Sequence, residues 1–236
     1  MSHAVDRQDA AGSGASGRLT RRKMVAAGVA GGLGAGLATS SADAAGGADA
    51  SAGRRGSTVV EFRGRISQTG DSGQNFTSLG FLTKVSHVAR SDIFDGSPHA
   101  VSTALLTAVA KGDLRARVLD MSVHSLDIVG TMTIFQRRHG GATFADPASF
   151  KVGNAVARYD LVLQDVLTVF APGTGLPTLT GDMTQTRARA LSGPLAGTTF
   201  GQRGTRLRMF ATGLGFLTDP QTLNAELEIA GNWSIE

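Results

Sequence analysis

The chain has no cysteine, and its 236 residues include one Trp, one Tyr and six Pro. Without thiols there is no disulfide scaffold, no thiolate metal site and no cysteine nucleophile. Charged residues are sparse at 18% and aromatics at 6%, yet an apolar content of 41% is enough to bury a core and too high for a wholly disordered chain. The length corresponds to one domain. From Thr58 to the end there are only 4 Glu and 3 Lys, against 21 Thr and 20 Gly. Long helices use Glu and Lys on their wet faces, whereas Thr favours sheets and Gly tight turns, so helix is disfavoured throughout this part.

The formal net charge of +4 does not describe a basic surface. Residues 1–44 hold five basic side chains against three acidic ones, and from residue 58 onward the balance is 16 against 15. No positive stripe of the kind that phosphate backbones select is present, so nucleic acid is not expected as a partner.

The first 44 residues read as an address label. A polar stretch ends in Thr20, Arg21, Arg22 and Lys23, followed by an uncharged Ala/Gly/Val/Leu run through Ala42 and an A-x-A cleavage pattern at Ala42-Asp43-Ala44. Paired arginines before a glycine-diluted apolar region resemble a twin-arginine export signal, with Arg21 and Arg22 as the pair and Met24-Val25 where Phe-Leu is usual. A Sec signal or uncleaved anchor is the alternative. Five glycines between Gly28 and Gly36 argue against a permanent span, and no later segment is long and apolar enough for one. The resemblance implies a transient twin-arginine translocase partner and a mature protein that is soluble outside the cytoplasmic membrane. Residues 45–57, AGGADASAGRRGS, read as a flexible tether. A second A-x-A at Ala48-Asp49-Ala50 leaves the cleavage point open.

The folded part alternates with a period of two. Leu223, Ala225, Leu227, Ile229, Gly231, Trp233 and Ile235 share one face, with Asn224, Glu226, Glu228 and Asn232 on the other. Val60, Phe62 and Ile66 alternate in the same way with Glu61, Arg63 and Arg65, as do Leu207, Met209 and Ala211 with Arg206, Arg208 and Phe210. Further strands are expected at 76–88, 100–110, 114–123, 126–137, 153–170 and 178–190, separated by turn chemistry such as Gly70-Asp71-Ser72-Gly73, Lys111-Gly112-Asp113 and Ala171-Pro172-Gly173. That gives nine strands. A short helical turn is expected at 146–150, with Asp146 as N-cap and Pro147 in the first helical position. Long strands in an even meander favour an all-β, antiparallel up-and-down barrel of about 8–9 strands over a β-sandwich.

The familiar catalytic signatures are missing. Gly70-Asp71-Ser72-Gly73 matches the segment around a trypsin-like nucleophile, but Gln74 follows it and the histidines of the folded part come later in the chain. His87, His99, His124 and His139 are scattered and none is spaced as a metal pair, so no metal and no cofactor is expected. The informative breaks are polar residues on apolar faces. Asp165 falls in line with Tyr159, Leu161, Leu163 and Leu167; Gln185 and Arg187 follow Leu179 and Met183; Asp120 follows Leu114, Ala116 and Val118. A core-facing charge is costly unless it is paired or lines a wet cavity. In a closed barrel Asp120, Asp165, Gln185 and Arg187 would point into one lumen, with Tyr159 and His87 near its ends. The alternative is a buried Asp–Arg pair, or strand faces assigned the wrong way round.

The architecture resembles the small barrels of the calycin and allene-oxide-cyclase/dirigent group, though the glycine-rich signature loops of dirigent proteins are absent. The segments Asp146-Pro147-Ala148-Ser149-Phe150, Asp165-Val166-Leu167-Thr168 and Thr184-Gln185-Thr186 resemble uncharacterised exported bacterial proteins over most of 58–219. The barrel resemblance implies a protein that holds a small, largely apolar molecule in its lumen, for which the strand alternation offers Asp120, Asp165, Gln185, Arg187 and His87 as candidate contacts. Two alternatives stand beside this reading. One is a cofactor-free cyclase or isomerase in which Asp165 polarises substrate, helped by Gln185 or Tyr159. The other is a structural or interaction barrel whose core is filled by Phe62, Met183, Leu207, Met209 and Trp233.

Overall fold

The structure, a computed structural model, describes residues 59–235. The arginine pair Arg21-Arg22, the cleavage residues Ala42 and Ala44 and the tether lie outside the described residues. Eight antiparallel strands follow one another: β1 (Val59–Thr69), β2 (Asn75–Val85), β3 (Leu106–Asp120), β4 (Val123–Gln136), β5 (Asn154–Ala171), β6 (Thr174–Ala188), β7 (Arg206–Asp219) and β8 (Asn224–Ile235). Each pairs with the next, and β1 also pairs with β8, which closes the sheet into an up-and-down barrel with no free edge.

Eight strands replace the nine expected because residues 106–120 form one continuous strand. Lys111-Gly112-Asp113 is not a turn. Gly112 pairs with Gly130 across the β3–β4 ladder, and a Cβ on Gly130 would lie 2.7 Å from the Gly112 Cα and would also run into the Lys111 carbonyl oxygen. These two glycines let the neighbouring strands approach closely. Residues 101–103 form a 3-10 turn rather than strand. The turn expected at 146–150 is a 3-10 turn, Pro147–Lys151, capped by Asp146, which accepts a hydrogen bond from the Ala148 N–H at 3.0 Å.

The two poles of the barrel differ. At one, hereafter the open end, four short hairpins join β1 to β2, β3 to β4, β5 to β6 and β7 to β8. At the other, the closed end, three long connections join β2 to β3, β4 to β5 and β6 to β7. Ile93 and Phe94 from the first, and Leu191, Leu195 and Phe200 from the third, are buried in the main core. The middle connection covers the outside of the barrel, where Phe150 packs with Val109 and Ala142 in a second cluster and its carbonyl accepts a hydrogen bond from Thr107 Oγ1 at 2.8 Å.

The alternation read from the sequence sets the inside and outside of β1, β7 and β8. Val60, Phe62, Ile66, Leu207, Met209, Ala211, Leu227, Ile229 and Trp233 are all buried. The outward residues make cross-strand pairs, Arg65 with Glu228 and Lys84 with Glu61, each at 2.9 Å. Toward the closed end side chains fill the lumen: Trp233 packs on Phe62 with ring centroids 5.2 Å apart, and Tyr159, Met183 and Leu207 are almost wholly buried beside them.

Candidate functional site

Toward the open end the packing gives out. A cavity of about 170 Å³ remains there, walled by Leu119, Leu126, Leu167, Val169, Leu217, Ala225 and Leu227, and carrying the polar side chains Gln68, Arg117, His124 and Asp165. Gly215 contributes bare backbone to the wall and so leaves space that a side chain would occupy, whereas a Cβ on Gly175 would lie 2.7 Å from Leu167 Cδ1. A larger depression of about 510 Å³ lies against the outer wall beside Arg63, Arg65, Phe144 and Glu228. None of the buried polar side chains reaches it.

Asp165 is the deepest polar group of the cavity, only 4% exposed. Its Oδ1 accepts a hydrogen bond from the Thr178 backbone N–H at 3.1 Å. Among the described residues the ion pairs are Arg65–Glu228, Lys84–Glu61 and His139–Asp95, so no protein cation sits against this carboxylate. Burial therefore pushes the Asp165 carboxyl up from its ordinary 3.8 to about 6, opposed by the Thr178 hydrogen bond, which pulls it down. Arg117 stands two strands away in register, across Leu126. Its guanidinium donates to the Ser72 carbonyl at 2.8 Å and the Gly73 carbonyl at 3.1 Å, which latches the β1–β2 hairpin to the rim. Gln68 Nε2 donates to the same Gly73 carbonyl at 2.9 Å.

The residues expected to converge do not. Tyr159 and Gln185 are buried and face each other across β5 and β6, but Tyr159 is six residues from Asp165 along one strand, about 20 Å at the rise of an extended chain. Burial holds the Tyr159 hydroxyl well above its usual range, and it donates to the Phe200 carbonyl at 3.4 Å. Gln185 Nε2 donates to the Arg187 carbonyl at 3.1 Å, and its Oε1 is buried without a partner. Neither residue lines the cavity around Asp165.

Asp120 and Arg187 point to solvent, contrary to the expectation that they share the lumen, and bulges are the reason. Between Leu114 and Ala116 the β3–β4 register shifts, leaving Arg115 unpaired. One extra residue reverses the faces of all that follows. Ala116, Val118 and Asp120 turn out, and Arg117 and Leu119 turn in to line the cavity. Likewise the β5–β6 register shifts between Arg158 and Tyr159, leaving Thr186 unpaired and sending Arg187 outward. His87 lies at the closed end, exposed in the turn after β2 with φ of 66°, and takes no part in the site.

Arg117 and His124 were missed by the sequence reading, and so was Gln68. For Gln68 the signal was available, because it continues the inward series Phe62, Ile66 by one more alternation. For Arg117 it was not, since nothing in Leu114-Arg115-Ala116 marks the bulge.

Around the mouth large apolar side chains stand exposed among polar ones such as Asp71, Asp120 and Gln221. Leu119, Met121, Phe170, Leu176, Phe216 and Leu217 are at least 36% exposed and all lie in or beside the open-end hairpins. Exposed apolar side chains gathered at one pole mark a candidate interaction surface. Among the described residues no helix is long and apolar enough to cross a membrane. No protein-family model, curated protein or solved structure matches this chain.

Proposed function

We propose that this chain is an exported β-barrel protein that binds a small, largely apolar molecule at the open end of its lumen. The observation that carries this reading is the cavity of about 170 Å³, apolar on most of its wall and open at one pole, with a few convergent polar groups. An engineered apolar cavity of about 150 Å³ is known to bind benzene, so the ligand portion inside the barrel is about the size of one six-membered ring. The lumen does not take a long chain in full, because Phe62, Met183, Leu207 and Trp233 fill it toward the closed end.

The test is toluene titration followed by amide chemical shifts, in the wild type and in Gly215→Val. Gly215 lines the cavity, and a Cβ there would meet nothing closer than Leu227 Cγ at 3.4 Å, so valine fits the strand and fills the space. Shifts clustered on Leu126, Asp165 and Leu227 that disappear in the variant support a binding cavity. Toluene without effect on the wild type refutes it.

Export rests on Arg21-Arg22, the weak apolar run and the A-x-A pattern at Ala42-Asp43-Ala44. A cysteine-free barrel suits a route that carries folded cargo, since no oxidising step is needed. Replacing both arginines with lysine is expected to hold the protein in the cytoplasm with its leader uncleaved. The second reading is an interaction barrel, favoured by the apolar rim of Met121, Phe170 and Phe216. Its signature is a concentration-dependent change in sedimentation that Phe170→Asp with Phe216→Asp abolishes.

A further inference from the structure

The character of the ligand follows from Asp165, and this inference rests on the reading of the open end as a binding cavity. We propose that the cavity selects small apolar amines, with the ligand entering amine first so that its ammonium pairs with Asp165 while its apolar body contacts Leu126, Leu167 and Leu227. Three observations carry this. Asp165 is 4% exposed and lines the cavity, yet only Oδ1 has a hydrogen-bond donor, the Thr178 N–H. Oδ2 accepts no hydrogen bond and faces no protein cation among the described residues. A desolvated carboxylate in that position gains most from a cation delivered by the ligand.

The second observation is the state of Arg117, the one other cavity-lining side chain with a fixed charge. Its guanidinium is committed to the Ser72 and Gly73 carbonyls, and Leu126 stands between it and Asp165 in the register. It therefore anchors the hairpin and leaves Asp165 unneutralised. The third is the polarity gradient. Asp165 lies inward along β5 from Leu167 and Val169, while exposed Leu119, Phe216 and Leu217 stand at the mouth. An amphiphile thus fits with its polar end inside and its apolar end at the rim. A ligand carboxylate is rejected, because two like charges would share one small, largely apolar site.

Four probes of one ring size test this with the full chain: benzylamine, benzyl alcohol, toluene and benzoate, titrated by amide chemical shifts at about pH 7.5, where an alkylamine is protonated. Benzylamine is expected to bind about 10- to 100-fold more tightly than toluene, the worth of a charge-assisted hydrogen bond. Benzyl alcohol is expected to fall between them and benzoate to give no shifts in the cavity. In Asp165→Asn the advantage of benzylamine over toluene is expected to vanish. Toluene and benzylamine binding equally to the wild type, or benzylamine keeping its advantage in Asp165→Asn, overturns the amine proposal and leaves the cavity reading standing. No shifts from any probe overturns both.

Discussion

Asp165→Asn is expected to make the protein more stable at neutral and higher pH, although it removes a buried hydrogen-bonding carboxylate. In the folded chain burial raises the Asp165 carboxyl from 3.8 to about 6. Below about pH 4 the group is protonated in both folded and unfolded chains, so its ionisation costs nothing. Between about pH 4 and 6 the folded chain holds a proton that the unfolded chain has released, so stability falls as pH rises through this window. Above it the loss is complete and amounts to about 3 kcal/mol at 1.36 kcal/mol per pKa unit. Asparagine cannot ionise, and its Oδ1 still accepts from the Thr178 N–H, though a neutral acceptor gives back about 1 kcal/mol of that gain. The net expectation is about 2 kcal/mol at pH 8, or roughly 1 M in urea midpoint for an m-value near 2 kcal/mol/M. Urea titrations of both proteins at about pH 4 and pH 8 are sufficient. The midpoints should converge at the lower pH. Other carboxylates act equally in the two proteins and cancel in the difference; among them is Asp219, held below its ordinary value by the Thr222 hydroxyl and the Gln221 N–H. The cavity's remaining charged or titratable side chains, Arg117 and His124, are present in both. A variant no more stable than wild type at about pH 8, or equally stabilised at about pH 4, would refute the assignment of Asp165 as an unpaired buried acid.

Gly130→Ala is expected to cost about 3 kcal/mol in the same assay, because its methyl meets backbone of β3 that cannot move aside. Arg117→Met should lose about 1–2 kcal/mol by freeing the Ser72 and Gly73 carbonyls, with faster hydrogen exchange confined to residues 70–74. Tyr159→Phe should change stability by less than about 1 kcal/mol, since the hydrogen bond it removes is 3.4 Å long. A double-mutant cycle on Arg65 and Glu228, both at least half exposed, should give a coupling of only about 0.5 kcal/mol.

The fold was legible where one face is wet and the other dry. Periodicity placed β1, β7 and β8 with their inward residues because Leu, Ile and Trp alternate there with Arg, Glu and Asn. It failed at Gly112, where a turn-forming tripeptide lies inside a strand, since glycine's lack of a side chain serves close strand approach as well as it serves a turn. The site was legible only at Asp165. Its partners were misassigned at Asp120 and Arg187 by one unpaired residue each, Arg115 and Thr186. A bulge carries no compositional mark of its own, yet it inverts every side chain beyond it. Tyr159 and Gln185 were rightly placed on the inner face and wrongly grouped with Asp165, because alternation reports which way a side chain points and not how far along the barrel axis it lies.

The closed end is also where β1 begins and β8 ends, with Val59 paired to Ser234. Both routes out of the barrel therefore leave from the pole opposite the cavity. A tag, a surface linkage or a fused domain joined at either side of the barrel holds it by its base and leaves the apolar mouth facing away from the attachment. Immobilising the barrel through a residue next to Val59 or Ser234 thus gives an oriented layer of accessible cavities, whereas attachment through a cysteine introduced at Met121 would bury the mouth against the support.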